Sequence, residues 1–272
     1  MYQTILTVLL VLFWCAPSNA IQQLPSQSIE TCQVDAPYGF PQSSKSGVAI
    51  CRHAYITYVD PVAKIPEWVV YTLTPVHAIG CIPRSNAFAA DQSVPQITAT
   101  PQDYAGTGYD KGHISPDSDN SFDQQAESES FLMTNMTPQL PGLNRQTWKY
   151  LESSIRDWVL QLNVPFTIYA GPIYGATDKR IGSGVVVPHA FYKIVINRST
   201  GQTAGWVFPQ AENLGSDLTK FRASIMQIEQ LTGINFPFPQ NATELAQNQM
   251  WPVDFGFFIA AKKAKCGANA DD

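Results

Sequence analysis

The sequence predicts an α+β fold in which a central antiparallel sheet carries helices packed on its faces. Segments rich in β-branched and aromatic residues recur along the chain, and two other segments repeat apolar residues at three- and four-residue steps. The first pattern is typical of strands and the second of amphipathic helices. No internal repeat, long Gly/Ser linker or charge run marks a boundary, so we expect one large domain.

The predicted strands stand out by their composition. Residues 47–58 read Gly-Val-Ala-Ile-Cys-Arg-His-Ala-Tyr-Ile-Thr-Tyr, and residues 67–73 read Glu-Trp-Val-Val-Tyr-Thr-Leu. Residues 74–108 carry several Pro, Gly, Asn and Asp and are predicted to be largely loop. Further strands are predicted over 131–134, 166–170, 185–196 and 204–208.

Two amphipathic helices complete the prediction. Residues 145–162 show one apolar stripe at helical spacing, and Pro165 fits a stop soon after their end. Residues 217–231 are predicted as a second helix with Ser216 as its N-cap. The residues expected to face inward are Trp148, Leu151, Ile155, Trp158, Val159 and Leu162 in the first helix and Leu218, Phe221, Ile225 and Ile228 in the second.

Residues 1–20 are predicted to be a removable signal peptide, which leaves 21–272 as the single domain. The apolar run over 4–15 is too short to span a bilayer, and Ser18 and Ala20 give the small-residue spacing that a signal peptidase accepts. No later stretch approaches the roughly 18 apolar residues of a membrane helix. We therefore expect a secreted or periplasmic protein that has no membrane partner after cleavage.

Cysteine content and net charge narrow the class of protein further. Cys32, Cys51, Cys81 and Cys266 remain after the cleavage. An even number in an exported chain favours disulfides over buried free thiols, and four cysteines allow three connectivities. The formal net charge of −5 argues against a protein that coats nucleic acid through bulk charge. It leaves open an enzyme that engages a few phosphates in a local cationic cleft.

Two segments carry the residues best suited to chemistry, Tyr109 to Pro116 and Thr134 to Glu152. Eight residues at about 100° each place Glu152 only about 80° from Asn144 around a helix axis, so both can face one site. A neutral His113 is suited to deprotonate water near pH 7. A hard divalent cation, held by an amide oxygen and by a carboxylate that orients its waters, would complete a site for phosphodiester hydrolysis.

In these and further segments the chain resembles the Serratia-type DNA/RNA non-specific endonucleases of the ββα-metal (His-Me finger) superfamily. The similar segments keep the family's order from about residue 30 to about residue 235. The resemblance implies a ββα-metal motif over about 103–162 and hydrolysis of both DNA and RNA, giving 5′-phosphate ends. The segments include Arg52-His53-Ala54-Tyr55, Trp68-Val69-Val70-Tyr71, Asp103-Tyr104-Ala105-Gly106, Asp110-Lys111-Gly112-His113, Thr134 to Gln139, Leu143 to Glu152, Gly171-Pro172-Ile173-Tyr174, Val187-Pro188 and Phe191-Tyr192-Lys193.

The resemblance also implies a role for each site residue. His113 is similar to the general base, Asn144 to the direct Mg²⁺ ligand and Glu152 to the residue that holds the waters of the metal. Mn²⁺ or another divalent cation is an alternative to Mg²⁺. Arg84 matches an arginine that stabilises the pentacovalent phosphate. The substrate-binding candidates are Lys111, Arg156 and Asn135, of which Asn135 is expected to support the site rather than bind metal.

The chain departs from the family pattern at two points. Lys111 stands where the family has arginine, which keeps the charge but loses the bidentate fork. Cys266 matches a family cysteine, yet Thr219 occupies the position expected for its partner, and Cys32 lacks its near neighbour. The disulfides must therefore be rearranged, with Cys51 and Cys81 available as partners.

Each candidate also has a structural interpretation. His113 can be a turn residue, Asn144 an N-cap, and Glu152 a solvated helix residue paired with Arg156. Arg84 can be a surface arginine, and Asp110 is as suited to anchoring a turn as to chemistry. The other three histidines, His53, His77 and His189, are interpreted as structural because no second ligand lies at metal spacing from them.

Two other functions are compatible with the sequence. One is a non-catalytic nucleic-acid-binding or adhesion protein on the same scaffold, and the other is a phosphoesterase of small diesters. The joint presence of His113, Asn144 and Glu152 favours the nuclease. A homodimer and a partner inhibitor protein are both left open.

Overall fold

The computed structural model describes residues 33–251, 254 and 256–267. The predicted signal peptide and Cys32 lie outside this part of the chain. In chain order the strands are β1 (Gln42–Ser43), β2 (Val48–Cys51), β3 (Ile56–Asp60), β4 (Ile65–Leu73), β5 (Asp110–His113), β6 (Met136–Gln139), β7 (Phe166–Ile173), β8 (Arg180–Ile181), β9 (Val185–Val186), β10 (Ala190–Asn197), β11 (Gln202–Pro209), β12 (Arg222–Ala223), β13 (Ile234–Asn235) and β14 (Thr243–Glu244). The α-helices are α1 (Asp117–Asn120), α2 (Gln124–Ser130), α3 (Lys149–Leu162), α4 (Ile225–Thr232) and α5 (Phe257–Cys266).

An eight-stranded sheet organises the fold. Its strands follow the order β12-β11-β10-β7-β4-β3-β2, and β14 adds to β11. Every pair is antiparallel except β11 with β14. The prediction of an α+β fold built on a central antiparallel sheet is therefore confirmed.

The centre of the sheet is covered on both faces. Every residue of β4, β7 and β10 is buried, which explains why these strands appear in the sequence as continuous apolar runs rather than alternating ones. One face packs against α3, which α5 contacts in turn, and the other packs against α4 and the segment around Phe236. A third apolar cluster lies under the loops between β4 and β6 and around β8 and β9.

The predicted helix 145–162 is present, with one irregular turn at its start. Leu143–Trp148 form a π-helical turn, which continues into α3. Trp148 and Trp158 are both buried in the core, as the apolar stripe predicts. The helix ends at Asn163, which adopts the left-handed conformation (φ 52°) that commonly ends helices before a proline. Leu162, which we predicted to face inward, is instead 36% exposed.

Two predicted strands are each divided by a break in the chain direction. Residues 47–58 form β2 and β3, because a turn closed by the hydrogen bond from the Arg52 N–H to the Tyr55 carbonyl (2.8 Å) reverses the chain. Residues 185–196 form β9 and most of β10, and Pro188 lies in the interruption. A proline has no N–H for the ladder and cannot continue a strand pairing on that side.

Two further predictions are wrong, because turns interrupt the elements that the sequence predicts over 131–134 and 217–231. Residues 131–134 contain part of a 3₁₀ turn rather than a strand; they follow α2, whose N-cap Asp123 accepts bonds from two backbone N–H groups. The helix predicted over 217–231 is a 3₁₀ turn, Leu218–Phe221, followed by β12 and then α4. The N-cap of α4 is Ser224, which forms a capping box with Gln227, and not the predicted Ser216.

A disulfide joins the C-terminal helix to the body of the fold. Cys81 pairs with Cys266 at the end of α5, and Cys51 is disulfide-bonded as well. The backbone N–H of Phe258 donates to Asp157 of α3 (2.6 Å), so α5 is fixed at both ends. No helix among the described residues is long and apolar enough to cross a membrane.

Candidate active site

Two short strands and a helix form the frame of the site. β5 pairs antiparallel with β6, so that Asp110 lies opposite Gln139 and His113 opposite Met136. The chain then passes through the π turn into α3. A Cβ at Gly112 would overlap the buried side chain of Gln139, so a larger residue there would have to displace it. This arrangement is the ββα motif predicted over 103–162.

Asn135 fixes the chain immediately after His113. Its side-chain oxygen accepts from the backbone N–H of Ser115 (2.9 Å), and its side-chain nitrogen donates to the carbonyls of Ser115 (2.9 Å) and Ser130 (2.8 Å). The Ile114 N–H donates to the Asn135 carbonyl (3.0 Å). Asn135 is 0% exposed, so it supports the strand end and does not offer a surface to substrate.

His113 lies in an aromatic surrounding. Its ring meets Phe131 edge-on at 4.9 Å and Phe88 at 5.6 Å. The residue is 9% exposed, and its Nε2 is buried and has no hydrogen-bond partner within the described structure. Burial, and then the charge of Arg84, hold the pKa of His113 well below its usual 6.5. The ring is therefore neutral at pH 7 and can accept a proton.

Two cations flank His113, each placed over an aromatic ring. The guanidinium carbon of Arg84 lies 4.9 Å from the ring centre of Phe131, and Nζ of Lys111 lies 4.6 Å from that of Phe88. Arg84 also donates to Asp117 (3.0 Å), while its side chain is 41% exposed. Arg84 and Lys111 thus reach the two phenylalanines that contact His113, where a phosphate could meet both charges.

Asp110 fixes the orientation of Asn144. Its Oδ2 accepts from the Asn144 side-chain nitrogen (2.9 Å) and from Nε of Arg145 (2.8 Å), and its Oδ1 accepts from a terminal nitrogen of Arg145 (2.6 Å). Burial raises the pKa of Asp110, but the bonds from Arg145 and Asn144 outweigh it and leave the pKa below its usual 3.8. The ionised carboxylate holds the amide nitrogen, so the amide oxygen is the free end of Asn144.

Glu152 belongs to a buried group of four charges. Nζ of Lys193 lies 3.1 Å from Oε1 of Glu152, and Arg156 donates to Oδ1 of Asp119 (2.8 Å). Lys193 is 0% exposed, Arg156 1%, Asp119 4% and Glu152 8%. Burial raises the pKa of Glu152 above its usual 4.5, and the positive charge of Lys193 opposes the rise.

The structure brings some predicted site residues together and sets others apart. Arg84 and Lys111 gather around His113, and Asn144 is tied to the first residue of the strand that ends at His113. Glu152 lies on the helix that follows the π turn. Arg156, a substrate-binding candidate, is directed into the interior and contacts Asp119 there, which leaves it a supporting role, as for Asn135.

The other histidines have partners of their own. His53 lies 3.5 Å from Asp123, His77 stacks on Phe122 at 3.8 Å between ring centres, and His189 lies 2.9 Å from Asp178. Within the described residues, no group of three or more His, Cys, Asp or Glu side chains could hold a metal ion.

Sequence reasoning missed three contributors to the site. The roles of Asp110 and Arg145 become visible only when β5 lies beside the π turn. Lys193 carries a signal that could have been used, because it is a lysine in the middle of an otherwise apolar strand run, Ala-Phe-Tyr-Lys-Ile-Val-Ile. A charged residue at a fully buried strand position needs a partner.

The comparisons with known proteins agree with this geometry. A family model described as DNA/RNA non-specific endonuclease matches residues 36–242. The chain is 29% identical over 261 residues to "Nuclease EXOG, mitochondrial" of Xenopus laevis, covering 85% of this chain and 72% of the relative. It is 34% identical over 183 residues to a nuclease of Nostoc sp., covering 62% of this chain and 66% of the relative. The nuclease of Serratia marcescens is 29% identical over 222 residues, covering 76% of this chain and 80% of the relative.

A solved structure shares the fold. A chain in a crystal structure of the EndoG/EndoGI complex superposes with a TM-score of 0.70 at 24% identity, covering 80% of this chain and 96% of that chain. At this identity the similarity supports the fold alone.

Proposed function

The chain belongs to the DNA/RNA non-specific endonuclease family and is a nuclease, and from this premise we propose that it is an exported, Mg²⁺-dependent enzyme that cleaves both DNA and RNA with His113 as general base. The observation that carries the proposal is the state of His113. Its imidazole is neutral, its buried Nε2 has no hydrogen-bond partner among the described residues, and Arg84 and Lys111 lie over the two phenylalanines that contact it.

In the proposed reaction a water oxygen attacks phosphorus while His113 takes up its proton. The bond from phosphorus to the 3′ oxygen breaks, so one product ends in a 5′-phosphate and the other in a 3′-hydroxyl, whose oxygen takes a proton from solvent water while His113 later releases its own to solvent. A base whose pKa lies below neutral is already unprotonated at physiological pH and can act in every turnover. The exposed guanidinium of Arg84 is suited to stabilise charge that develops on the phosphate oxygens.

The donor groups fit a hard divalent cation. The free amide oxygen of Asn144 would hold the ion directly, and Glu152, whose Oε1 is bound to Lys193, would use Oε2 to hold it through water. Such a sparse set suits Mg²⁺, which keeps several of its waters and takes few protein ligands; Mn²⁺ accepts the same oxygens. When bound, the ion supplies Lewis-acid stabilisation of the phosphate charge.

Indifference to base sequence would follow from where the cations lie. Lys111 and Arg84 can contact the phosphate backbone, which carries no direct sequence information. Arg145 adds a side chain that is 68% exposed next to the same strand. A local cationic rim of this kind explains how a chain with net charge −5 could bind nucleic acid.

The test is incubation of the purified, oxidised protein with plasmid DNA and bulk RNA, with Mg²⁺ or with EDTA. His113→Ala should lower the rate by about 10²- to 10⁴-fold, the usual contribution of a general base. His189→Ala is a matched control, since that side chain pairs with Asp178 away from β5. Dephosphorylation followed by end labelling reports whether the new 5′ ends carried phosphate.

Three results would each reject the proposal or a part of it. If the folded protein leaves DNA and RNA intact with every divalent cation tested, the alternative of a non-catalytic binding or adhesion protein would be favoured. Turnover of a chromogenic diester without loss of polymer would instead favour the small-diester phosphoesterase. A His113→Ala rate equal to that of the native chain would reject His113 as the base.

We also propose export to an extracellular or periplasmic compartment. Residues 1–20 contain an apolar run and no Lys or Arg, whereas mitochondrial transit peptides are rich in arginine. Several relatives are named as mitochondrial, so the alternative deserves a direct test. N-terminal sequencing of the mature protein should begin near residue 21, and a mature protein recovered from an organelle would contradict export.

An inhibitor protein and a homodimer are further proposals about partners. The EndoG chain that shares this fold was solved in complex with EndoGI. A nuclease made inside a cell endangers that cell before export, so an inhibitor that covers the cationic rim would protect it. Extract of the producing cell should then lower the activity of the purified enzyme, and light scattering would report one or two copies per particle.

A further inference from the structure

Lys193 lies in an interior strand of the sheet. It lies in the middle of β10, where its backbone pairs with Ala170 of β7 on one side and with Trp206 of β11 on the other. The side chain is 0% exposed. Its position is therefore defined by two complete strand pairings rather than by a loop.

The ammonium group joins the sheet to the helix that carries the candidate site. Nζ lies 3.1 Å from Oε1 of Glu152 and 4.2 Å from the ring centre of Trp148. Trp148 is the last residue of the π turn, and Asn144 belongs to the same turn. One buried cation thus contacts both the carboxylate of Glu152 and the junction between the π turn and α3.

Stability alone does not explain a buried ion pair at this place. Removing two charges from water is costly, and apolar side chains of similar volume usually stabilise a core at least as well. The contact between α3 and the sheet already contains Leu151, Ile155 and Phe191. Two methionines would fill the same volume, but only the ion pair gives the carboxylate of Glu152 a charged partner in a fixed direction.

We propose that Lys193 is a positioning residue, whose ammonium fixes Oε1 of Glu152 to the sheet so that the second carboxylate oxygen keeps one orientation toward the divalent cation. The inference rests on the proposed metal-dependent hydrolysis and names a residue that acts through Glu152 without touching substrate. Asp119 and Arg156 complete the group of charges, and their ion pair keeps the pocket around Glu152 close to neutral.

Binding of Mn²⁺, followed by electron paramagnetic resonance in the absence of substrate, tests the inference without relying on turnover. Lys193→Met should weaken Mn²⁺ binding by roughly 10- to 100-fold, the usual effect of losing a residue that orients a metal-holding group. The metal concentration for half-maximal cleavage should rise by the same factor, while the KM for DNA at saturating metal stays unchanged. Lys193→Arg keeps the charge and should recover part of the affinity.

Lys262→Met provides the matched control, because Lys262 is a second lysine with little exposure (4%) and lies on α5. Circular dichroism and thermal unfolding establish that each variant is folded. If Lys193→Met does not fold, Lys193→Arg still tests the inference, since moving the charge should change Mn²⁺ affinity while Lys262→Met does not. Unchanged Mn²⁺ affinity in folded Lys193 variants would overturn the positioning role. Absence of Mn²⁺ binding in the native chain would instead reject the proposed metal-dependent function.

Discussion

Replacing Asp110 by alanine should change the metal dependence of cleavage without changing the affinity for DNA. The carboxylate touches neither phosphate nor metal in the proposed mechanism, but it holds the amide nitrogen of Asn144 at 2.9 Å. Without it the amide can rotate, and its oxygen no longer has a fixed direction. We therefore expect a higher metal concentration for half-maximal cleavage and an unchanged affinity for DNA at saturating metal.

The size of the effect follows from the hydrogen bonds of Asp110. A hydrogen bond to a charged group contributes about 1.5–3 kcal/mol. The two bonds from Arg145 count for little, because the Arg145 side chain is 68% exposed and solvent screens an exposed pair. The bond to Asn144 remains, and its loss corresponds to roughly a 10- to 150-fold higher metal concentration for half-maximal cleavage.

A fluorescent DNA cleavage assay across a Mg²⁺ titration measures this concentration. Asp178→Ala is a matched control, since Asp178 also pairs with a basic side chain and is 19% exposed against 17% for Asp110. Arg145→Ala should raise the value only slightly, because it leaves the bond to Asn144 in place. A folded Asp110→Ala variant that responds to Mg²⁺ like the native chain would refute the reasoning.

Three further predictions concern pH, the disulfide and Lys111. Because the pKa of His113 in the folded protein lies below 6.5, the native state binds fewer protons than the unfolded state as the pH falls below 6.5. The neutral His113 therefore contributes to the free energy of unfolding above pH 6.5, and this contribution is lost as the pH falls below 6.5. The acid limb of kcat/KM should therefore lie below pH 6.5, and Arg84→Met should move it to higher pH; a limb at or above 6.5 in the native chain would contradict this. Replacing Cys81 and Cys266 together by serine opens a loop of 185 residues in sequence separation, for which chain entropy gives a loss of about 5 kcal/mol in the free energy of unfolding. Urea unfolding measures the loss, and a change below about 1 kcal/mol would show that the entropic estimate does not apply. Lys111→Arg restores a bidentate donor and should lower the KM for DNA with little change in kcat, whereas a higher KM would show that its place over Phe88 suits only lysine.

Periodicity predicted the parts of the fold that depend on one apolar surface. The apolar stripe of residues 145–162 marks the side of α3 that packs in the core, although α5 covers much of its other side as well. The central strands appear as apolar runs because both faces are covered. The errors lie where local hydrogen bonds interrupt such a pattern. The turn at Arg52 and the capping box at Ser224 depend on side-chain and backbone partners that an average over a window does not distinguish from their neighbours.

The site was predictable to the extent that its residues stand close in sequence. His113, Asn144 and Glu152 belong to two continuous segments, and their order along the chain suffices to suggest a shared site. Lys193 is 41 residues from Glu152, and Asp110 is 34 from Asn144. These partners meet only after the strands have paired, so no spacing rule could have joined them.

The π turn at Leu143–Trp148 sets a constraint on chain length. Such a turn contains one residue more than an α turn, as if a single residue had been inserted during evolution. If the turn closed into a regular helix with all its residues kept, Asn144 would rotate by about 100° relative to Glu152. The amide would then face away from Asp110, although every side chain of the site was still present. Deleting one of residues 145–147 together with the π turn would restore nearly the same relative direction, so a transplant of α3 into another scaffold must carry either the π turn or a helix shorter by one residue.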